Sequence, residues 1–482
     1  VGITNVTATT QANGVQFDNL VASLVYFQQQ LYVATTGNDT TGNGSSGSPY
    51  LTLQRGFDAI SPGGTLHVAS GTYTQASGVI LLARASGTPI YRITLQSDTK
   101  WAAKITGTNV FTIFECDGSY VDILGFDVSA TDNICSYGIV AKGNFCSVQR
   151  CYVHDILAVN NGNIGGAGIS GQNSGNNYVS GPVDVIGNFI TRIGQDGTNT
   201  NAPYVHAIYM SCQGGNIWNN LVAGCGGSAV SLGHGASGLH VDNNTFVGCL
   251  NGGIALWSGW PTEGPGPNDY TTITNNILAH NIGTANGYPV YTPGIWEDGA
   301  NVGPHNTYAN NLLFDNIVST QAGWVGLQYQ FDSGGTLTNT VFADPQFVND
   351  QKDGSGDYHL KSTSPAINAG GLTSAPTIDY DGLMRPLLGA NVDIGAYEAT
   401  AVVTFIPRAL SALLMLSAAP LAGTLAGTGQ CSGTLSFSLT ALAARWPGQV
   451  PLPGRSQPAS PSAQRVYPAV PHSPGARCLP RS

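Results

Sequence analysis

The chain has 482 residues, of which 9% are charged and 64 are glycine, against about 25% charge and about 7% glycine in an average soluble protein. Its 42% hydrophobic residues can fill a sizeable core, which excludes a highly charged disordered chain, and the scarcity of Lys and Glu argues against long exposed helices. Net charge is −10, but residues 401–482 hold six arginines and no acid, leaving residues 1–400 with 11 bases against 27 acids. So acidic a body is a poor nucleic-acid binder and has no basic patch for a membrane.

Residues 1–30 alternate poorly, and Val15 to Phe27 is expected to cap the body of the chain or to end an upstream segment. Beyond them a short motif recurs: an apolar residue, any residue, Asn-Asn or a variant, then apolar residues. It reads Ile217-Trp218-Asn219-Asn220-Leu221-Val222, Val241-Asp242-Asn243-Asn244-Thr245-Phe246 and Ile273-Thr274-Asn275-Asn276-Ile277-Leu278. Tyr308 to Leu313 is a further copy, with weaker ones from Val185, Val148 and Ile123. Taking the second Asn as register gives positions 126, 151, 188, 220, 244, 276 and 311. A unit of about 24 residues with variable insertions fits the coil of a parallel β-helix. Asn suits a fixed turn because it tolerates the left-handed backbone and its amides stack into a ladder. A second strand precedes the later motifs, at Gly138-Ile139, Gly168-Ile169, Ala207-Ile208, Ala229-Val230, Gly253-Ile254 and Gly294-Ile295. Asp353 to Asp357 and Asp379 to Asp381 read as tight turns of an end cap.

The opening Leu31 to Asp39, Pro49 to Gln54, Pro62 to Val68 and Gly71 to Tyr73 resembles the start of right-handed parallel β-helices of the pectate-lyase-like superfamily. Ala343 to Val348, Tyr358 to Gly370, Asp379 to Gly382, Arg385 and Asp393 to Glu398 are similar to their exit. The fold class expected is therefore all-β: a right-handed parallel β-helix solenoid over residues 31–400, with insertion loops forming a groove. Residues 401–482 are a low-complexity, Pro/Arg-rich tail expected to be disordered. Its uncharged Ala409 to Gly427 contains Pro420 and small residues, a marginal membrane span. The change at Ala443 is abrupt enough to suggest a non-native reading frame, which mass spectrometry of peptides from 443–482 decides.

Insertions at about 155–181, 193–205, 257–270 and 281–293 are expected to wall the groove. Four residues past the register position stands a column of Ala130, Asp155, Arg192, Gly224, Gly248, His280 and Asp315. Coils stack about 4.8 Å apart, so Asp155 and Arg192 should meet, and the two glycines leave room for a sugar ring. Cys225 and Cys249 should stack one residue further on. The nine cysteines include no CxxC pair and read as buried, reduced thiols.

Aromatic faces beside carboxylates and His suit sugar binding and acid–base chemistry. The catalytic candidates are Asp155, Arg192, Asp196, His206, Glu297 and Asp298, and the substrate-binding candidates Tyr209, Trp257, Trp260, Trp296 and His280. Glu297 aligns with Leu256, an inward position.

The resemblance implies a polysaccharide partner. It is compatible with a uronate lyase, with Arg192 as base and Asp155 and Asp196 as ligands should calcium be used, and with a glycoside hydrolase using two carboxyls. The alternative is a non-catalytic tailspike or adhesin-like rod that binds glycans, and such rods often trimerise. Either reading is expected of a secreted or virion protein.

Overall fold

Short runs in which alternate residues are buried, such as Leu31 and Val33, Ile93 and Leu95, or Val121 and Ile123, commit one side of each strand to a shared interior. The computed structural model describes residues 28–158, 165–172, 181–194, 204–257, 266–281, 293–297, 302–316 and 328–400, with the backbone alone of 284–285 and 288–289. The strands form three long parallel sheets of 11, 9 and 9 strands, wound as a right-handed parallel β-helix. One coil passes through sheet 1 at His240–Asp242, sheet 2 at Thr245–Cys249 and sheet 3 at Ile254–Leu256. The next coil repeats each strand in register, for example Val241 beside Ile273 and Ile254 beside Ile295.

The corner from sheet 1 to sheet 2 explains the doubled asparagine, because the two residues do different work. The first, Asn219, Asn243, Asn275 or Asn310, takes a left-handed φ of 54–58°; Gly125, Arg150 and Gly187 hold the same place. The second points inward. Asn188, Asn220, Asn244, Asn276 and Asn311 are wholly buried, and each of the first four amides donates to the next side-chain oxygen at 2.9–3.0 Å. That oxygen also accepts the preceding residue's backbone N–H, as from Asn220 to Asn244 at 2.8 Å. Asn244→Ala therefore strands two buried donors of Asn220. A loss of about 3 kcal/mol or more is expected, read as a lower midpoint in denaturant melts.

A second left-handed column ends the sheet 2 strands: Asp155, Arg192, Gly224, Gly248, His280 and Asp315 have φ between 50 and 67°. The residue after each returns to the interior. There Cys225 and Cys249 stack without a disulfide, and the Asn281 and Asn316 side-chain oxygens accept the backbone N–H of Cys249 and of Asn281.

The ends are closed differently. Helix Leu53–Ala59 packs Leu53, Gly56 and Phe57 into the first coils, with Phe57 stacked 5.2 Å from Phe114. The cap expected at Val15 to Phe27 lies outside the described residues, as does the 401–482 tail. At the other end residues 341–399 turn back along the outer face of sheet 2. Phe347, Tyr358, Ile394 and Tyr397 cover Leu221, Val247, Ile277 and Leu312. Polar ties hold this return segment: the Asn243 amide donates to the Asp393 carbonyl, and the Ala396 N–H to Thr245 Oγ1. The Asp353 and Asp381 turns belong to this strap.

His359 clips two of its turns together, Nδ1 to Asp357 at 2.6 Å and Nε2 to Asp381 at 2.8 Å. Burial opposes charge on the ring, but the two carboxylates outweigh it and raise the His359 pKa above its usual 6.5. The clip's contribution is thus fully present below pH 6.5 and fades as pH rises through the folded-state value. His359→Asn should remove that slope in melts between pH 5 and pH 8; an unchanged slope would place the dependence elsewhere.

Candidate functional site

Strand order decides which faces are open. The outer face of sheet 2 is covered by the return segment. In chain order residues 159–164 and 195–203 fall between strands of sheet 2 and sheet 3, and residues 173–180 and 258–265 between strands of sheet 3 and sheet 1. Those insertions lie outside the described residues, and Asp196, Trp260 and Asp298 with them.

The register of sheet 3 lines up Val140, Ser170, Tyr209, Ser231, Ala255 and Trp296 on the outer face. A cavity of about 180 Å³ opens there, lined by Tyr137, Tyr204, His206, Tyr209, His234 and Trp257 with Gly165 and Gly166. The rings pack on one another: His206 is stacked on Tyr209 at 5.8 Å, and His234 meets Trp257 edge-on at 4.7 Å. Trp257 lies over Gly233, where an added Cβ would stand 2.7 Å from the indole, and its Nε1 donates to Ser231 Oγ at 2.9 Å. The indole is therefore fixed before any ligand arrives. Gly233→Ala should displace it and weaken ligand binding while the coil remains folded, as read by titration calorimetry and circular dichroism.

His206 is equally determined. The backbone N–H of Ser228 donates to its Nδ1 at 3.1 Å, so in the neutral ring the proton sits on Nε2. Burial pushes its pKa down to about 4, and the ring is uncharged at neutral pH. It is a neutral N–H donor held in an aromatic pocket. Because the unfolded ring takes up its proton near pH 6.5, stability should fall as pH drops from 6.5 towards 4. In His206→Gln that part of the acid slope should vanish. Gly227 secures the position: a Cβ there would stand 2.8 Å from Nδ1.

The expected Asp155–Arg192 contact forms. Arg192 grips Asp155 through Nε to Oδ1 at 2.6 Å and Nη2 to Oδ2 at 2.8 Å. His154 bridges Asp155 and Asp127 at 2.5 and 2.8 Å. Hydrogen bonding to Arg192 holds the Asp155 carboxyl below its ordinary range, and the same bond raises Arg192 further above its own. Arg192, expected as a base, is thus engaged with Asp155 through both Nε and Nη2. Both Asp155 oxygens are already engaged, which does not fit a calcium ligand. Among the described residues no group of three or more His, Cys, Asp or Glu side chains is arranged to hold a metal.

Three further expectations are revised. Glu297 is fully buried inside the solenoid, accepting from the Tyr308 hydroxyl and from Ser333 N and Oγ at 2.9 and 3.0 Å. It closes the end of the core and does not face a substrate. His280 is clasped between Asp315 and Asp350, both at 2.8 Å, with 9% of its side chain exposed. The room expected beside Gly248 is filled by Lys352, whose carbonyl would lie 2.4 Å from an added Cβ. Trp296 does share the Tyr209 column, three coils further on.

Tyr137, Tyr204 and His234 were not among the expected site residues. Tyr137 and His206 stand in one register column through Ala167, so aligning the Gly-Ile strands one residue earlier would have found the first. His234 follows strand Val230–Leu232 inside a Gly-His-Gly turn, a weaker signal.

No family model matches the chain, and no curated protein matches it. Among solved structures it is similar to pectate lyase Pel9A, at 16% identity over 77% of this chain and 97% of that one, with a TM-score of 0.42. An alginate lyase from Paenibacillus sp. str. FPU-7 matches at 19% identity over 60% and 96%, TM-score 0.41. A glycoside hydrolase matches at 9% identity over 65% and 93%, TM-score 0.38.

Proposed function

We propose that the chain is a carbohydrate-active β-helix protein that binds an acidic polysaccharide along the outer face of sheet 3 and cleaves it by β-elimination. The observation that carries this reading is the pocket of His206, Tyr209, His234 and Trp257. Aromatic faces suit the C–H side of a sugar ring, and a neutral N–H donor suits a uronate carboxylate without needing a counter-charge.

Elimination asks for two things. The carboxylate must be stabilised as the proton α to it leaves, and one group must move that proton to the departing glycosidic oxygen. His206 Nε2–H supplies the first. The Tyr209 hydroxyl, beside it, is assigned the second: it takes the C5 proton and returns one to the leaving O4. The C5–H and C4–O bonds break, a C4=C5 double bond forms, and no water is consumed. Hydrolysis would need a pair of carboxyls, and the described lining of the pocket has none.

Incubation with polygalacturonate and alginate tests the reading. Elimination gives a new ultraviolet absorbance from the unsaturated uronate, and Tyr209→Phe should lose kcat while KM stays near the parent value. Reducing ends without that absorbance would mean hydrolysis. Binding without any product would mean a glycan-binding rod.

A further inference from the structure

Far from sheet 3, at the corner between sheets 1 and 2, lies a cleft of about 470 Å³ lined by Gln96, Ser97, Asp98, Lys100, Leu124, Gly125, Gln149 and Arg150. Arg92, Lys104, Lys142, Arg192 and Arg385 are each paired with a carboxylate. Lys100 and Arg150, by contrast, share one cleft with Asp98 in a body with 27 acids and 11 bases. Lys100 is held in place by aromatic faces, its Nζ 4.3 Å from the Trp101 ring and 5.0 Å from Tyr380 of the return segment. Burial and the neighbouring Arg150 lower its pKa against the opposing pull of Asp381, so the two cations lie close enough to repel.

Arg150 is also out of pattern. Its turn position, with φ of 53°, is otherwise filled by Gly or Asn in the coils of Gly125, Gly187, Asn219, Asn243, Asn275 and Asn310. An unbranched long side chain in that conformation carries a cost the other coils avoid.

We propose that this cleft is a second carbohydrate site, for a sugar unit bearing a carboxylate or a sulfate ester. The cation pair takes the anion. Asp98, which accepts from His67 Nδ1 at 2.7 Å, faces the same space and accepts hydroxyl donors, which a sugar unit carries and a bare anion lacks. The Gln96 and Gln149 amides offer further partners, and Leu124 with Gly125 forms an apolar floor for the ring. The ligand must therefore carry hydroxyl donors as well as negative charge. In a polymer-binding protein such a site would hold the substrate away from the cleaving face and raise its local concentration. Its class of ligand rests on the polysaccharide reading, but its occupancy does not depend on cleavage.

The test reads the site itself. The full chain carrying Tyr209→Phe is treated with an amine-acetylating reagent, alone and with tri-galacturonate, a sulfated trisaccharide, maltotriose or inorganic sulfate, and labelling of Lys100 is followed by mass spectrometry. Labelling is expected to slow several-fold with one or both acidic sugars and to be unchanged with maltotriose. Protection by tri-galacturonate assigns a carboxylate ligand, and protection by the sulfated sugar a sulfate ester. Arg150→Asn installs the residue other coils use at this turn, so folding is retained while protection should be lost. Equal labelling with every probe would overturn the proposal. So would equal protection by inorganic sulfate, or protection that survives Arg150→Asn. Absence of elimination product from the chain with Tyr209 intact, alongside protection of Lys100, would count against cleavage on sheet 3 and leave this site standing.

Discussion

His206→Ala is expected to lower turnover on a uronate polymer by about 10²–10⁴-fold while the protein still melts cooperatively. The loss follows from geometry. Ser228 N–H fixes the ring so that Nε2 carries the proton, and burial keeps the ring neutral down to about pH 4. Alanine removes the only group in the pocket so assigned. His206→Gln separates chemistry from packing, because a glutamine can accept from Ser228 and still present an N–H; partial recovery of kcat is expected. Steady-state rates over pH 5–8 supply the check. An alanine variant as fast as the parent would remove His206 from the mechanism.

The second large effect concerns stability. Arg385 is buried beneath the return segment, its Nη1 2.6 Å from Glu398 Oε1 and its Nη2 bonded to the Gly395 carbonyl and to Asn219 Oδ1. Burial lowers the Arg385 pKa, while Glu398 and Asp379 favour its charge. Glu398→Ala takes away the closest counter-charge and should cost about 3–5 kcal/mol. Because the pair ties residues 385–398 to the turn at Asn219, the strap should loosen before the coils melt. Limited proteolysis should then cut within 341–399 while the far-ultraviolet spectrum stays that of a β-helix. The double variant Arg385→Met/Glu398→Leu leaves no orphan charge and should be milder. A Glu398→Ala protein as stable as the parent would mean that the pair does not hold the strap.

Local rules made the solenoid legible. The Asn-Asn pattern encodes two requirements at one corner, a left-handed residue and an inward amide, and the resulting register places Asp155 against Arg192 at hydrogen-bond distance. Cys225 and Cys249 follow one residue later for the same reason. What was not legible depends on contacts between distant parts of the chain. Gly248 looked open because nothing near it in sequence announces Lys352, about 100 residues on. His280 looked free because Asp350 arrives from the strap. Glu297 was expected to point inward, yet its partners Tyr308 and Ser333 come from later coils. Charge was a misleading guide in sheet 2, where the few ionised groups satisfy one another. The pocket on sheet 3 is built mainly from neutral rings, which scarcity of charge does not single out.

The most direct test is a crystal structure of Tyr209→Phe soaked with a hexa-uronate. The account predicts sugar along the outer face of sheet 3, with a carboxylate at His206 Nε2 and a ring against Trp257. Sugar lying instead on sheet 2 beside Asp155 and Arg192, with the sheet 3 face empty, would contradict it.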